Sequence, residues 1–317
     1  MTPLDTVDGR SSSAAIASQA PPVRALLLAG SFRTARAQPL ARSLGVPLAA
    51  LPVDAHRTVL SWWIESFYTS KAVRSVTIAV SDPEERTFYE RVIADTRLQC
   101  EIWIDRNEHR GAGGTIRDFA DDTLDSDEHG IVVAECSTFG DFVFDSLFTR
   151  EVMEAHAAVL MSRDRLPSGV MFVSRRAIEL IPTVGYFDLK EQLLPAIAKG
   201  GGRTRAIDAD GAPYRIGTLR GYLDLVQARA QQRILLISQQ STVDPTADIR
   251  GASLIGRGAV VGARAVVSDA VVMSGAQLGE GAIVARSVIP PGAVVPPSAR
   301  IIDEVFAPLG TSGRDVR

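Results

Sequence analysis

Apolar residues fall along this chain in two different rhythms. From Val23 to about Gln240, continuous apolar runs alternate with stretches of helical spacing. Val23–Ala29 (VRALLLA) runs into Gly30, and Val76–Val80 (VTIAV), Ile131–Ala134 (IVVA) and Val170–Val173 (VMFV) have the same character. Such runs predict short strands buried on both faces, as in parallel sheets. Helices are predicted between them over Val59–Tyr68, Pro83–Asp95, Ser146–Val159, Asp188–Ala198 and Leu219–Arg233. The alternation predicts an α/β sheet with crossover helices.

After Ile234–Val243 the beat changes to six. Val243, Ile249, Ile255, Val261, Val267 and Met273 recur at every sixth position, and after a phase shift the beat resumes at Ile283, Ile289, Val295 and Ile301. Small residues such as Ala252, Gly256, Gly262, Ala265, Gly279 and Gly292 lie between the beats. Neither the helical period of 3.6 nor the strand period of 2 produces this pattern. A prism-like parallel β-helix does, with one hexad per face and one apolar side chain per hexad turned to the axis. Pro290-Pro291 and Pro296-Pro297 mark its last coil. Prolines there remove donors and limit further strand addition. The expected organisation is a tail over 1–22, an α/β domain over 23–240, a β-helix over 241–303 and a second tail over 304–317.

Composition narrows this little. A net charge of -3 gives no basic footprint for nucleic acid. Cys100 and Cys136 are too few for a disulfide framework or zinc cluster, so a reduced, cytoplasmic setting is expected. No apolar run approaches the roughly 18 residues of a membrane helix. Residues 1–22 lack a basic start followed by an apolar stretch, and read as a disordered tail rather than a signal peptide.

Several motifs follow one another in order: Leu28-Ala29-Gly30, Pro39-Leu40, Leu51-Pro52-Val53, Gly111-Ala112-Gly113-Gly114-Thr115-Ile116-Arg117, Gly169-Val170-Met171-Phe172-Val173, Phe187-Asp188-Leu189 with Leu194-Pro195, and Ile216-Gly217-Thr218 with Tyr222-Leu223. The ordered set resembles the nucleoside-diphosphate-sugar pyrophosphorylases, which are sugar-1-phosphate nucleotidyltransferases. Many of these carry a left-handed β-helix after the catalytic domain. The resemblance implies a Rossmann-like, GT-A-like nucleotidyltransferase domain followed by a left-handed parallel β-helix of hexapeptide repeats. It also implies a chemistry: a sugar-1-phosphate oxygen attacks the α-phosphate of a nucleoside triphosphate, and pyrophosphate leaves. Such a reaction rests on positioning and on neutralising phosphate charge.

Carried over by position, the resemblance places a nucleotide against Leu28, Ala29, Gly30, Gly111, Gly113 and Gly114. Gly169, Asp188 and Arg215 fall on the sugar and phosphate side. Arg36 takes the place of the catalytic arginine and Glu135 that of a magnesium ligand.

The departures are equally specific. The first loop reads Ser31-Phe32-Arg33-Thr34-Ala35-Arg36, without the family's glycines, and Val46-Pro47 lacks the expected lysine. Glu135-Cys136 replaces a Gly-Asp pair, with Asp141 and Asp145 nearby, and Arg215 stands where a second metal-binding aspartate belongs. An arginine there repels magnesium and either holds an anion or pairs with Asp208 or Asp210. The family's sugar-side segment of about fifty residues is reduced to Ala157–Ser168. These losses touch separate parts of one mechanism.

Three functions compete. An active nucleotidyltransferase would need Mg2+, Arg36 and Glu135. A non-catalytic homologue would bind a nucleotide or nucleotide sugar and regulate or scaffold a partner, as related regulatory subunits do. A hexapeptide acyltransferase would need a histidine in the repeat, and His56, His109, His129 and His156 all lie outside it. The coil faces suit packing against another subunit, so a homo-oligomer or hetero-oligomer is expected.

Overall fold

The computed structural model describes residues 22–30, 38–96, 99–142, 144–162, 164–209, 211–234 and 236–307. Among them the chain forms two compact units. The first takes the chain up to Leu28, Trp63–Glu135 and Gly140–Pro213; the second takes Ala29–Trp62, Cys136–Phe139 and the chain from Tyr214 onward. No helix among the described residues is long and apolar enough to cross a membrane.

Strands before the repeat are β1 (Val23–Leu28), β2 (Val73–Val80), β3 (Glu101–Ile104), β4 (Gly130–Glu135), β5 (Thr138–Phe139), β6 (Ala157–Met161), β7 (Pro167–Ser174), β8 (Thr204–Asp208) and β9 (Tyr214–Arg215). Helices are α1 (Pro39–Leu44), α2 (Val59–Tyr68), α3 (Arg86–Thr96), α4 (Gly111–Thr123), α5 (Arg150–Met153), α6 (Arg175–Ile178), α7 (Leu194–Lys199) and α8 (Leu219–Gln231).

The first unit is built on one mixed sheet of order β3-β2-β1-β4-β7-β6-β8. β1 runs parallel to β2 and β4, β7 is antiparallel to β4 and β6, and β8 is parallel to β6. From β1 in mid-sheet the strand order therefore winds outward to β3 and returns on the other side of β1 with β4. That reversal opens a crevice at the carboxyl ends of β1 and β4, the usual ligand position in open α/β sheets. Leu28 and Glu135 stand opposite each other there. One sheet face buries Leu26, Ile131, Val133, Met171 and Val173 against Ile116 and Phe119 of α4 and Leu193 and Ile197 nearby.

The long helix expected over Ser146–Val159 does not form. A 3-10 turn at Phe144–Phe148 and the short α5 are followed by strand β6. The helical spacing of Phe148, Val152 and Ala155 stops where a continuous apolar run, Ala157–Met161, finds strand partners on both sides. Ala157–Ser168 thus makes a tight hairpin with β7, closed by Ser162 N donating to Leu166 O at 2.8 Å. β3 and β8 lack long apolar runs because they are the edges of the sheet.

In the second unit the strands after Gln240 rotate through three parallel sheets. The first holds Thr242–Val243, Val260–Val261, Gln277–Leu278 and Val294–Val295; the second holds Asp248–Arg250, Val266–Ser268, Ile283–Ala285 and Arg300–Ile302; the third holds Leu254–Ile255, Val271–Val272 and Val288–Ile289. This is a three-faced parallel coil, β-helix-like, with Val261, Val267, Val272, Leu278, Val284, Ile289, Val295 and Ile301 in its core. The six-residue beat needs correcting after Val267: Val272 takes the axial place expected for Met273, and Val284 the place expected for Ile283. The steps from Val267 to Val272 and from Val284 to Ile289 are one residue short. Both shortened steps turn the same corner, where Asp269 (φ +50°) and Arg286 (φ +48°) adopt left-handed backbone, as does Gly251 (φ +57°) one coil earlier.

Candidate functional site

The crevice of the first unit holds a cavity of about 330 Å³. Leu28, Val133 and Glu135 form one side, Val159, Met161, Gly169 and Met171 the floor, and Leu189, Lys190 and Leu194 the opposite wall. Glu135 is the last residue of β4, and its carboxylate oxygen lies 3.7 Å from the Lys190 ammonium. Both side chains are partly open to solvent, Glu135 at 35% and Lys190 at 47% exposure.

Local structure explains why Lys190 arrives there. The Asp188 carboxylate accepts from the amides of Lys190 and Glu191, both at 2.7 Å, and so caps the helical turn Leu189–Leu193. The segment before it is tied to α4: Phe187 N donates to Arg110 O at 2.8 Å, and Gly113 N to Phe187 O at 3.0 Å.

The glycine-rich stretch Gly111-Ala112-Gly113-Gly114 is the first turn of α4. A Cβ on Gly113 would lie 2.7 Å from Phe187 O, and one on Gly114 would lie 2.2 Å from Arg110 Cβ. Gly111 sits at φ +71° with a Cβ position 2.7 Å from the Tyr186 ring. Gly111 and Gly113 let the 186–188 segment lie directly on the helix and Gly114 leaves room for the Arg110 side chain, which accounts for them without a ligand. Gly113→Ala should therefore cost about 1–3 kcal/mol through overpacking, read as a lowered thermal midpoint. A variant as stable as the parent would show that the contact gives way freely.

The other expected site residues are dispersed. Gly169 lies in β7 at φ +84° and contributes to the floor of the cavity. Ala29 and Gly30 belong to the second unit, where Gly30 (φ +66°) has open space at its Cβ position. Arg36 lies outside the described residues. Arg215 is exposed in the second unit, in the short ladder that pairs it with Thr138. Asp208, one of its suggested partners, instead binds Arg165 at 3.2 Å; Asp210 lies outside the described residues.

The Ile-Gly-Thr motif is a local knot of the second unit. Ile216 N donates to Ser137 O at 2.9 Å and Gly217 O accepts from Leu40 N at 3.0 Å. Thr218 caps α8 by accepting from Gly221 N at 3.2 Å.

The donor set does not fit magnesium. Glu135 faces an ammonium, and among the described residues no three His, Cys, Asp or Glu side chains converge as a metal site requires. Cys136 is fully buried, a packing position rather than a nucleophile's. Burial pushes the Cys100 thiol up to about 12, which leaves it equally inert at neutral pH.

A larger hollow, about 550 Å³, lies along α8 of the second unit. Four of its charges are matched, Arg286 with Asp303 at 2.6 Å and Arg220 with Asp224 at 3.0 Å, and the Asp269 carboxylate accepts from Ala252 N at 2.9 Å. Lys190 is the functional candidate that sequence reasoning missed: in Phe187-Asp188-Leu189-Lys190 it reads as an ordinary solvated helix lysine. No protein-family model matches the chain, and no curated protein matches its sequence.

Proposed function

We propose that this chain is a nucleotidyltransferase-like protein that binds a nucleotide or nucleotide conjugate at the carboxyl edge of its sheet and does not carry out metal-dependent transfer. One observation carries the reading: at the switch point the carboxylate in the metal-ligand position lies 3.7 Å from the Lys190 ammonium. A resident cation beside the Glu135 carboxylate disfavours a divalent ion there. The ordered motifs and the sheet with its antiparallel β7 support the finer assignment, a GT-A-like domain followed by a left-handed β-helix.

In the same reading the protein acts in the cytoplasm as a regulatory or scaffolding subunit of nucleotide-sugar metabolism. It assembles with copies of itself or another chain through the coil, where Val260 and Val294 are 38% and 60% exposed on one face. Light scattering should then show more than one subunit at micromolar concentration; a monomer would remove that part.

Calorimetric titration with nucleoside triphosphates and nucleotide sugars, with and without magnesium, tests the ligand. Binding that is indifferent to magnesium, with no pyrophosphate released, is the expected result. Tight magnesium-dependent triphosphate binding with pyrophosphate release would restore the enzyme. Failure of every nucleotide to bind would leave a scaffold only.

A further inference from the structure

The cavity beside Glu135 has a lining that a sugar does not match. Its floor and walls are aliphatic or thioether: Leu28, Val133, Val159, Met161, Met171 and Leu194. Four lining side chains carry hydrogen-bonding groups: Glu135, Lys190, Thr204 and Arg205. Arg205 is out of phase with the others. In β8 it stands opposite Ala158, whereas Thr204 and Ala206 stand opposite Ala157 and Val159 on the cavity face. Its guanidinium lies 3.9 Å from Glu151. Of these four, Glu135 and Lys190 are paired with each other and Arg205 with Glu151. A sugar carries hydroxyls all round its ring, and most would be buried here without partners, which costs affinity. The tight β6–β7 hairpin supplies Val159, Met161 and Met171 to this lining.

Resting on the reading of the carboxyl edge as the ligand face, we infer that this cavity binds a small molecule with an apolar body and one neutral head that both donates and accepts hydrogen bonds, such as a primary amide. The head sits between Glu135, which accepts, and Lys190, which donates. The body lies over Met161 and Met171. A volume of about 330 Å³ is at the lower end for small-molecule sites, and an apolar lining with few placed polar groups is their usual character. Any nucleotide conjugate using the cavity therefore presents an apolar group to it rather than a bare sugar.

The five methionines supply the test. In the full chain labelled with 13C at the methionine methyls, Met161 and Met171 report the cavity. Met153, in α5, and Met273, in the coil, are controls. Octanamide should move the Met161 and Met171 signals saturably and leave the controls in place. Hexanamide, two methylenes shorter, should bind roughly tenfold more weakly. Glu135→Gln and Lys190→Met should each weaken octanamide binding several-fold, with undisturbed control signals showing that the variants fold.

Glucose 1-phosphate moving Met161 and Met171 where the amides do not would overturn the inference. So would amides that move all four reporters alike. A nucleotide sugar that binds by calorimetry without moving Met161 or Met171, in a protein that ignores octanamide, sinks the cavity assignment and leaves the proposed function standing. Amide binding with no nucleotide binding does the reverse.

Discussion

Replacing Asp54 with alanine should destabilise the second unit by about 3–5 kcal/mol, the range expected when one partner of a buried ion pair is removed. The Asp54 and Arg229 side chains are 5% and 3% exposed and 3.4 Å apart. The same carboxylate accepts from the amides of His56 and Arg57, at 2.9 and 2.7 Å, and from Arg57 Nε at 2.8 Å. Arg229 also lies over the Phe139 ring, 5.4 Å from its centroid. One carboxylate thus joins the turn after Val53 to α8, beside the bond from the Tyr222 hydroxyl to Pro52 O at 2.7 Å.

Denaturant unfolding would show the loss directly. In the double variant Asp54→Ala/Arg229→Met no buried guanidinium is left facing an absent carboxylate, so it should recover much of the stability. If the single variant unfolds with the parent, the pair is not structural.

The pH dependence has a definite sign. Burial alone would raise the Asp54 carboxyl, but hydrogen bonds from His56 and Arg57 and the Arg57 charge hold it below its ordinary 3.8. The native state therefore releases this proton more readily than the unfolded chain. Its contribution is fully present above about pH 4 and is lost as pH falls through the lower native value. Asp54→Asn should flatten the acid limb of the stability profile below about pH 4, and an unchanged limb would contradict the assignment.

What the sequence made legible follows from what each signal physically requires. β1 and β4 were readable because a strand buried on both faces must be apolar throughout. β3 and β8 were not, because edge strands carry Glu101, Thr204, Arg205 and Asp208 and need no apolar run. The helix expected to continue through Val159 failed because a propensity window cannot see the two strands that flank β6.

The glycine motif shows how one signal serves two demands. A backbone approaching a phosphate and a backbone approaching Phe187 O both exclude a Cβ, so Gly111-Ala112-Gly113-Gly114 alone does not distinguish them. Lys190 could not be found from spacing. It stands fifty-five residues from Glu135, and its meeting with that carboxylate depends on the Asp188 cap and on the Phe187–Gly113 bond. The site is thus a tertiary product of elements that are each unremarkable in sequence.

The coil offers the sharpest test of register, and the substitution Val284→Asp should collapse it while Ile283→Asp should not. A strict beat of six resuming at Ile283 points that residue to the axis. The ladder places Val284 there, fully buried between Val267 and Ile301, while Ile283 pairs outward with Val266 and Arg300 and is only partly buried. The difference arises at a corner five residues long instead of six, where left-handed Asp269 and Arg286 make the turn.

A one-residue slip reverses every side chain of a strand, so the neighbouring positions carry opposite predictions. Aspartate at 284 would bury a carboxyl among Val267, Leu278 and Ile289. Domains are stable by only about 5–15 kcal/mol, and the cost should exceed what three short sheets can bear. The coil of that variant should be open to protease at temperatures where the parent resists. Aspartate at 283 stays solvated next to Arg300 in the ladder and should shift the midpoint by no more than about 1 kcal/mol. Equal damage from both substitutions, or greater damage at 283, would return the register to the beat of six that resumes at Ile283.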